Sequence, residues 1–233
     1  MLLEESYASL WLLRRAGIMA VPVTGRPAGW CDLIARQWPV AGVVGENGAF
    51  AFFLRDGKLE RIYHPAAPEP LATVDRLVEL KLKALSAFPD LRVAKDQSYR
   101  LFDIALDFAE EEPDLGLELA EKVKKFCEAR GAVAKVSSIH VNAWFGDYDK
   151  LSMAEFFLSA RFGYDSHRDE ASVLYVGDSP NDEPMFRRFS LSCGVANVRK
   201  YETLLKNPPK FVTDRPFGYG FAEAIGILMN LIA

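Results

Sequence analysis

Residues 172–182 read Ser172-Val173-Leu174-Tyr175-Val176-Gly177-Asp178-Ser179-Pro180-Asn181-Asp182. The stretch Ser172 to Val176 is short and apolar on both faces, the pattern of a strand buried inside a parallel sheet. It runs directly into Gly177-Asp178-Ser179-Pro180-Asn181-Asp182 and a helix, with Pro180 suited to the first helical turn. A strand whose carboxyl end opens on two carboxylates and an amide is where an α/β sheet collects its ligands. The same grammar recurs at the other end of the chain. A helix over Leu2 to Ala16 stops at Gly17, and the apolar run Ile18 to Val23 follows, although Pro22 removes one ladder donor. Thr24-Gly25-Arg26-Pro27 then leads into a helical pattern through Trp30, Leu33, Ile34 and Trp38. A second apolar strand, Ala41 to Val44, ends in Gly45-Glu46-Asn47-Gly48. Strand, turn, helix, strand predicts an α/β fold with a Rossmann-like, doubly wound parallel-sheet core.

The middle has another rhythm. Ala49 to Leu54 and Lys58 to Tyr63 read as a hairpin around Asp56-Gly57. The proline-rich connector His64 to Pro70 marks a boundary. Beyond it come a helix (about 71–88), strands (about 91–94 and 99–108), a helix (about 115–130) and two more strands (132–136 and 138–145). In the last of these Ile139, Val141, Ala143 and Phe145 alternate, which predicts a half-exposed antiparallel strand. The order αββαββ describes an inserted α+β domain. From Asp149 the parallel pattern resumes, with a helix from Lys150, the strand at 172–176, a short strand at 191–195, a helix near Tyr201 and a last helix from Phe221. The expected organisation is core 1–64, insert 65–148 and core 149–233.

Composition narrows the function classes. The chain has 233 residues, half of them apolar, so a sizeable core can be buried. Its 28 basic and 32 acidic residues sum to -4, which gives no electrostatic footprint for nucleic acid or an anionic membrane surface. Cys31, Cys127 and Cys193 lie far apart, so neither a disulfide framework nor a thiolate zinc site is expected. Glu4 and Glu5 occupy the place where a signal peptide carries basic residues. The C-terminal run from Phe217 is too short and broken for a membrane span. A cytoplasmic protein is expected.

Three pieces carry chemistry. Asp178, Asn181 and Asp182 offer an all-oxygen donor set suited to Mg²⁺, although Asp and Asn also cap helices. Thr24 and Gly25 bring a hydroxyl and a glycine amide to a helix N-terminus, where backbone donors can cradle a phosphoryl oxygen, or where Thr24 simply caps the helix. Lys150 opens a helix, a position that opposes the macrodipole unless an anion offsets it; a solvated lysine is the plainer alternative.

Together and in this order, VTGRP (Thr24), DKLSM (Lys150) and GDSPND resemble the second, third and fourth motifs of the haloacid dehalogenase (HAD) superfamily of phosphohydrolases. The closer resemblance is to its Cof-like and sugar-phosphate phosphatases, with a large α/β cap. Val44-Gly45-Glu46-Asn47-Gly48-Ala49 resembles the segment that precedes that cap. The resemblance implies a Mg²⁺-dependent phosphomonoesterase working through an aspartyl-phosphate on a small phosphorylated metabolite such as a sugar phosphate. It assigns Thr24 and Gly25 to the phosphoryl oxygens, Lys150 to the transition-state charge, and Asp178, Asn181 and Asp182 to the metal. Arg26, Asn47, Asn142 and, less simply, His140 become candidate substrate contacts. The family's first motif, DxDGT, does not precede Thr24; Asp147-Tyr148-Asp149 has the DxD spelling but follows the insert. A longer natural chain carrying that strand upstream is one expectation. The alternative is a catalytically inactive phosphate- or metal-binding protein lacking the nucleophile. Either way Thr24, Lys150 and Asp178 are expected to line one phosphate-and-magnesium pocket, with neither nucleic acid nor membrane as partner.

Overall fold

A computed structural model describes residues 2–232. In chain order the first elements are α1 (Glu4–Arg15), α2 (Ala28–Gln37), β1 (Val43–Gly45), β2 (Phe50–Arg55) and β3 (Lys58–Tyr63). The insert contributes α3 (Pro70–Ala87), β4 (Arg92–Val93), β5 (Asp103–Asp107), α4 (Gly116–Glu128), β6 (Val133–Val136) and β7 (His140–Trp144). Then come α5 (Lys150–Phe162), β8 (Leu174–Gly177), α6 (Glu183–Arg188), β9 (Leu191–Gly194), β10 (Phe211–Val212) and α7 (Phe217–Ile232). The elements form two compact units, one made of 1–22, 37–42 and 157–233, the other of 23–36 and 43–156.

The first unit holds a three-stranded parallel sheet in the order β10-β9-β8, with Val176 opposite Cys193 and Cys193 opposite Phe211. Helix α1 has Glu4 and Glu5 in its first turn and Arg14 and Arg15 in its last, both offsetting the macrodipole. It lies against α7, burying Leu10 and Leu13, and the approach is close enough that the Ser6 hydroxyl donates to the Gly218 carbonyl at 2.9 Å. Among the described residues no helix is long and apolar enough to cross a membrane.

The second unit contains two antiparallel sheets, β1-β2-β3 and β4-β5-β7-β6. The hairpin turn expected at Asp56-Gly57 is there, with φ of 51° and 75°, the doubly left-handed geometry that matches strand twist. The insert has the predicted order αββαββ. On one face of its sheet Ile104 pairs with Ala143 and Leu106 with Val141, and these pack with Leu80, Ala84, Val123 and Cys127 of α3 and α4. Each fully buried aliphatic side chain there contributes about 1.5–3 kcal/mol.

Two expectations need correction. Residues 18–22 form no strand. Parallel pairing at this point is reduced to a single bridge, Val23 with Val44, beside bonds from Ala41 N to Ala20 O and from Thr24 N to Val44 O. Pro22 has no N–H to extend the ladder. Strand β7 is not half-exposed either, because all five of its residues are buried. Its polar side chains, His140 and Asn142, meet other polar groups of the same unit rather than water.

Cys31, Cys127 and Cys193 are free and buried. Burial raises the thiol pKa of all three, that of Cys127 to about 11.

Candidate active site

Thr24 follows the bridged Val23, and the next two residues make a tight turn. The Thr24 hydroxyl accepts the Arg26 N–H at 3.1 Å and keeps its own proton to donate. Every carbonyl of the turn is already engaged. Thr24 O accepts from Asn47 N (3.2 Å), Gly25 O from Arg100 Nη1 (2.9 Å) and Arg26 O from Glu46 N (3.1 Å). A Cβ on residue 25 would stand 2.9 Å from Asn47 Oδ1, so the position admits only glycine without a shift.

The turn rests on a buried polar network. Glu46 is wholly buried, and its carboxylate accepts the backbone N–H groups of Ala28 (2.8 Å), Leu101 (3.0 Å) and Phe102 (2.6 Å). It therefore ties the start of α2 to the segment entering β5. Asp103 Oδ2 accepts from both Asn47 Nδ2 (3.0 Å) and Asn142 Nδ2 (3.2 Å), and its Oδ1 accepts from Arg100 (2.9 Å). Arg100 Nε and Nη2 also hold Asp96 Oδ1 at 3.3 and 3.2 Å. Glu46 and Asn47 adopt φ of 40° and 57°, conformations that non-glycine residues seldom hold unless their surroundings fix them.

The candidate substrate contacts are thus sorted. Thr24, Gly25, Arg26, Asn47 and Asn142 do come together. Asn47 and Asn142 are buried and donate to Asp103, which ties them into the network beneath the turn. Arg26 is partly exposed, lies over the Trp30 ring, and is 3.6 Å from both Asp96 and Glu110. His140 shares a 2.8 Å hydrogen bond with Glu110, and its pKa is lowered by burial. Lys150 is the first residue of α5, and its backbone N lies against Gly48. Asp149, of the DxD-spelled segment, is a helix cap: its Oδ1 accepts from Ser152 N at 2.8 Å. Sequence reading missed Glu46 as a clamp and missed Arg100 and Asp103 altogether. The alternation in β5 could have shown Asp103 opposite the apolar face of Ile104 and Leu106.

The GDSPND turn belongs to the other unit and follows β8 directly, as expected. Asp178 is partly exposed and accepts from Asn197 Nδ2 at 3.1 Å. Asn181 Oδ1 accepts the Ser179 hydroxyl at 2.7 Å. Asp182 is buried and bonded within the turn. Its Oδ1 takes the Tyr175 hydroxyl (2.7 Å), and its Oδ2 takes Asp178 N and Ser179 N (3.0 and 3.2 Å), the Ser179 bond being part of a capping box. Three donors thus hold this carboxylate within the turn. Asp182 therefore shapes the turn, and Asp178 and the Asn181 amide beside it are oxygen donors of the right kind for Mg²⁺. Among the described residues no three His, Cys, Asp or Glu side chains gather into a protein-only cage. A cation here would need further oxygen donors, as Mg²⁺ commonly takes from water and phosphate.

The Glu46 site has a pH signature. Burial first, and then the charge of Asp103, push its pKa from 4.5 up to about 8, against the pull of three backbone N–H groups. The folded chain then retains a proton that the unfolded chain releases above about pH 4.5, so stability falls as pH rises from 4.5 through 8. The limiting slope is about 1.4 kcal/mol per pH unit. Urea titrations at pH 5 and pH 8 check the sign, and an unfolding free energy that rises across this interval would exclude it.

No protein-family model matches the chain, and no curated protein matches it. Solved structures do match. A protein of Thermoplasma acidophilum aligns over 98% of this chain and 91% of its own, with 18% identity and a TM-score of 0.72. A HAD subclass IIB sugar phosphatase aligns over 97% and 92%, with 15% identity and a TM-score of 0.62. The fold is that of the HAD-superfamily phosphatases. A further HAD phosphatase, from Bacteroides thetaiotaomicron, covers 97% of this chain and 88% of its own at 19% identity and a TM-score of 0.64. The parallel sheet together with the antiparallel αββαββ insert agrees with the expected α/β class. At these identities the likeness speaks for the fold; the chemistry rests on the residues.

Proposed function

We propose that this chain is a HAD-type, Mg²⁺-dependent phosphomonoester hydrolase acting on a small phosphorylated metabolite, with a sugar phosphate as the substrate class, in the cytoplasm. The observation that carries the reading is where the motifs fall. Thr24 follows the bridged Val23, Lys150 opens α5, and Asp178 follows β8, and these element ends support the reading. The sugar phosphatase whose fold the chain shares supports the substrate class.

In this reading the Thr24 hydroxyl and Gly25 amide hold phosphoryl oxygens, and Lys150 neutralises charge that develops during transfer. Asp178 and Asn181 would hold the metal, which supplies electrostatic stabilisation of the transferring phosphoryl group. Asp182 keeps Asp178 and Ser179 in place through the capping box. Residues 65–148, acting as a cap, would exclude water and choose the leaving group through Arg26 and its carboxylate partners. The nucleophilic aspartate is not among residues 1–23, which contain no Asp.

The experiment compares phosphate release from sugar phosphates by this chain and by one extended upstream with a DxDGT strand. Turnover in the extended form, lowered about 10²–10³-fold by Lys150→Ala or Asp178→Asn, is the expected result. Near-wild-type turnover in either variant removes that residue from the proposal, and an inactive extended chain removes the hydrolase.

A further inference from the structure

Arg100 stands outside every motif, yet one of its nitrogens reaches the turn that carries Thr24. Its side chain is 1% exposed. Nη1 donates both to Gly25 O and to Asp103 Oδ1 at 2.9 Å, while Nε and Nη2 hold Asp96 Oδ1. Asp103 in turn collects Asn47, whose own N–H engages Thr24 O. Carbonyl oxygens are the groups in a backbone turn that repel an anion. In residues 24–26 each one is bonded to a donor, and the bond at Gly25 is the charge-assisted one, stronger than its neutral neighbours.

We propose that Arg100 is a positioning residue for the phosphate turn. From within the insert it fixes the Gly25 carbonyl, so that the hydroxyl and amide donors of Thr24 and Gly25 are set for a tetrahedral oxyanion before one arrives. The inference rests on the reading of Thr24-Gly25 as a phosphate cradle. It adds that the insert builds part of that cradle, in addition to choosing the leaving group. Lysine cannot replace arginine here. A single ammonium can stay with Asp96 or Asp103, but it lacks the planar fork that spans both carboxylates and the Gly25 carbonyl at once.

Gly25-Arg26 is the only Gly-Arg pair in the sequence. Labelling glycine with ¹³C at the carbonyl and arginine with ¹⁵N therefore gives a single resonance reporting on the Gly25 carbonyl. Inorganic phosphate is titrated into the full chain, into Thr24→Val and into Arg100→Lys. The expected result has three parts: phosphate binds the wild type, Thr24→Val weakens it, and Arg100→Lys weakens it roughly ten-fold or more. In Arg100→Lys the Gly25 carbonyl resonance also moves upfield as its hydrogen bond is lost, a change that a general loss of stability would not produce in a folded variant. Unchanged affinity and an unmoved resonance in Arg100→Lys overturn the proposal while leaving the phosphate cradle standing. Absence of phosphate binding by the wild type, or wild-type affinity in Thr24→Val, overturns the cradle and this inference with it. Should Arg100→Lys fail to fold, the wild type alone decides. A carbonyl resonance already at its hydrogen-bonded position and unmoved by saturating phosphate supports a preset turn, whereas one that moves there only with phosphate overturns it.

Discussion

Arg100→Met will cost the fold about 3–5 kcal/mol of unfolding free energy, the loss typical of removing one partner from a buried ion pair. Burial disfavours the guanidinium charge, but Asp103 and Asp96 more than offset that and raise its pKa. Methionine fills much of the volume and supplies none of the donors. Asp103 would keep the Asn47 and Asn142 amides, and the Gly25 carbonyl would lose its charged donor. Equilibrium urea unfolding measures the change, read at constant m-value. A loss below about 1 kcal/mol would show that the network is not held by its charges, since that is the scale of an exposed pair. Pairing the change with Asp103→Asn should recover part of the loss, because the charge left unpaired is then gone.

Gly48→Ala should be as damaging, for a reason of shape alone. Gly48 has φ of 107°, a region that L side chains rarely adopt. A Cβ there would run into the backbone carbonyl of Asp149 and stand 2.9 Å from Lys150 N. Neither obstacle is a flexible side-chain tip, so the segment 46–48 or the start of α5 must move. Backbone strain of about 1–3 kcal/mol combines with overpacking of similar size. We expect a melting temperature lowered by many degrees and, in any folded remainder, a displaced Lys150. A variant that melts with the wild type would mean that the close approach is not part of the solution structure.

Much of the fold could be read from the sequence because its signals are local. Strand period and helical spacing placed all six elements of the insert in order, and the Asp56-Gly57 turn placed the hairpin before it. The early strand at 18–22 could not be read correctly, since an apolar run announces burial without announcing a pairing partner, and Pro22 weakened the one pairing available. The exposure of β7 was misjudged for a related reason. His140 and Asn142 look like a wetted face until long-range partners are known, and Asp103 and Glu110 come from elsewhere in the chain.

The candidate site divides in the same way. Thr24, Lys150 and Asp178 each sit at the end of an element, where spacing reveals them. Glu46, Arg100 and Asp103 act through contacts spanning 3 to 75 residues, and to a sequence reader an arginine in Ser98-Tyr99-Arg100-Leu101 looks like surface. Asp182 had two readings from the start, ligand or cap, and its bonds to Tyr175, Asp178 N and Ser179 N show the cap at work.

The three cysteine thiols have a practical consequence. Cys31 sits beneath the Thr24–Arg26 turn, with its Sγ 3.8 Å from Arg26 O; Cys127 is in the apolar interior of the insert; and Cys193 is in the middle strand of the parallel sheet. Sheltered from solvent and kept protonated, each can be alkylated only when its surroundings open. Peptide-resolved labelling rates would then act as three native clocks, timing the breathing of three separate parts of the molecule with no engineered probe.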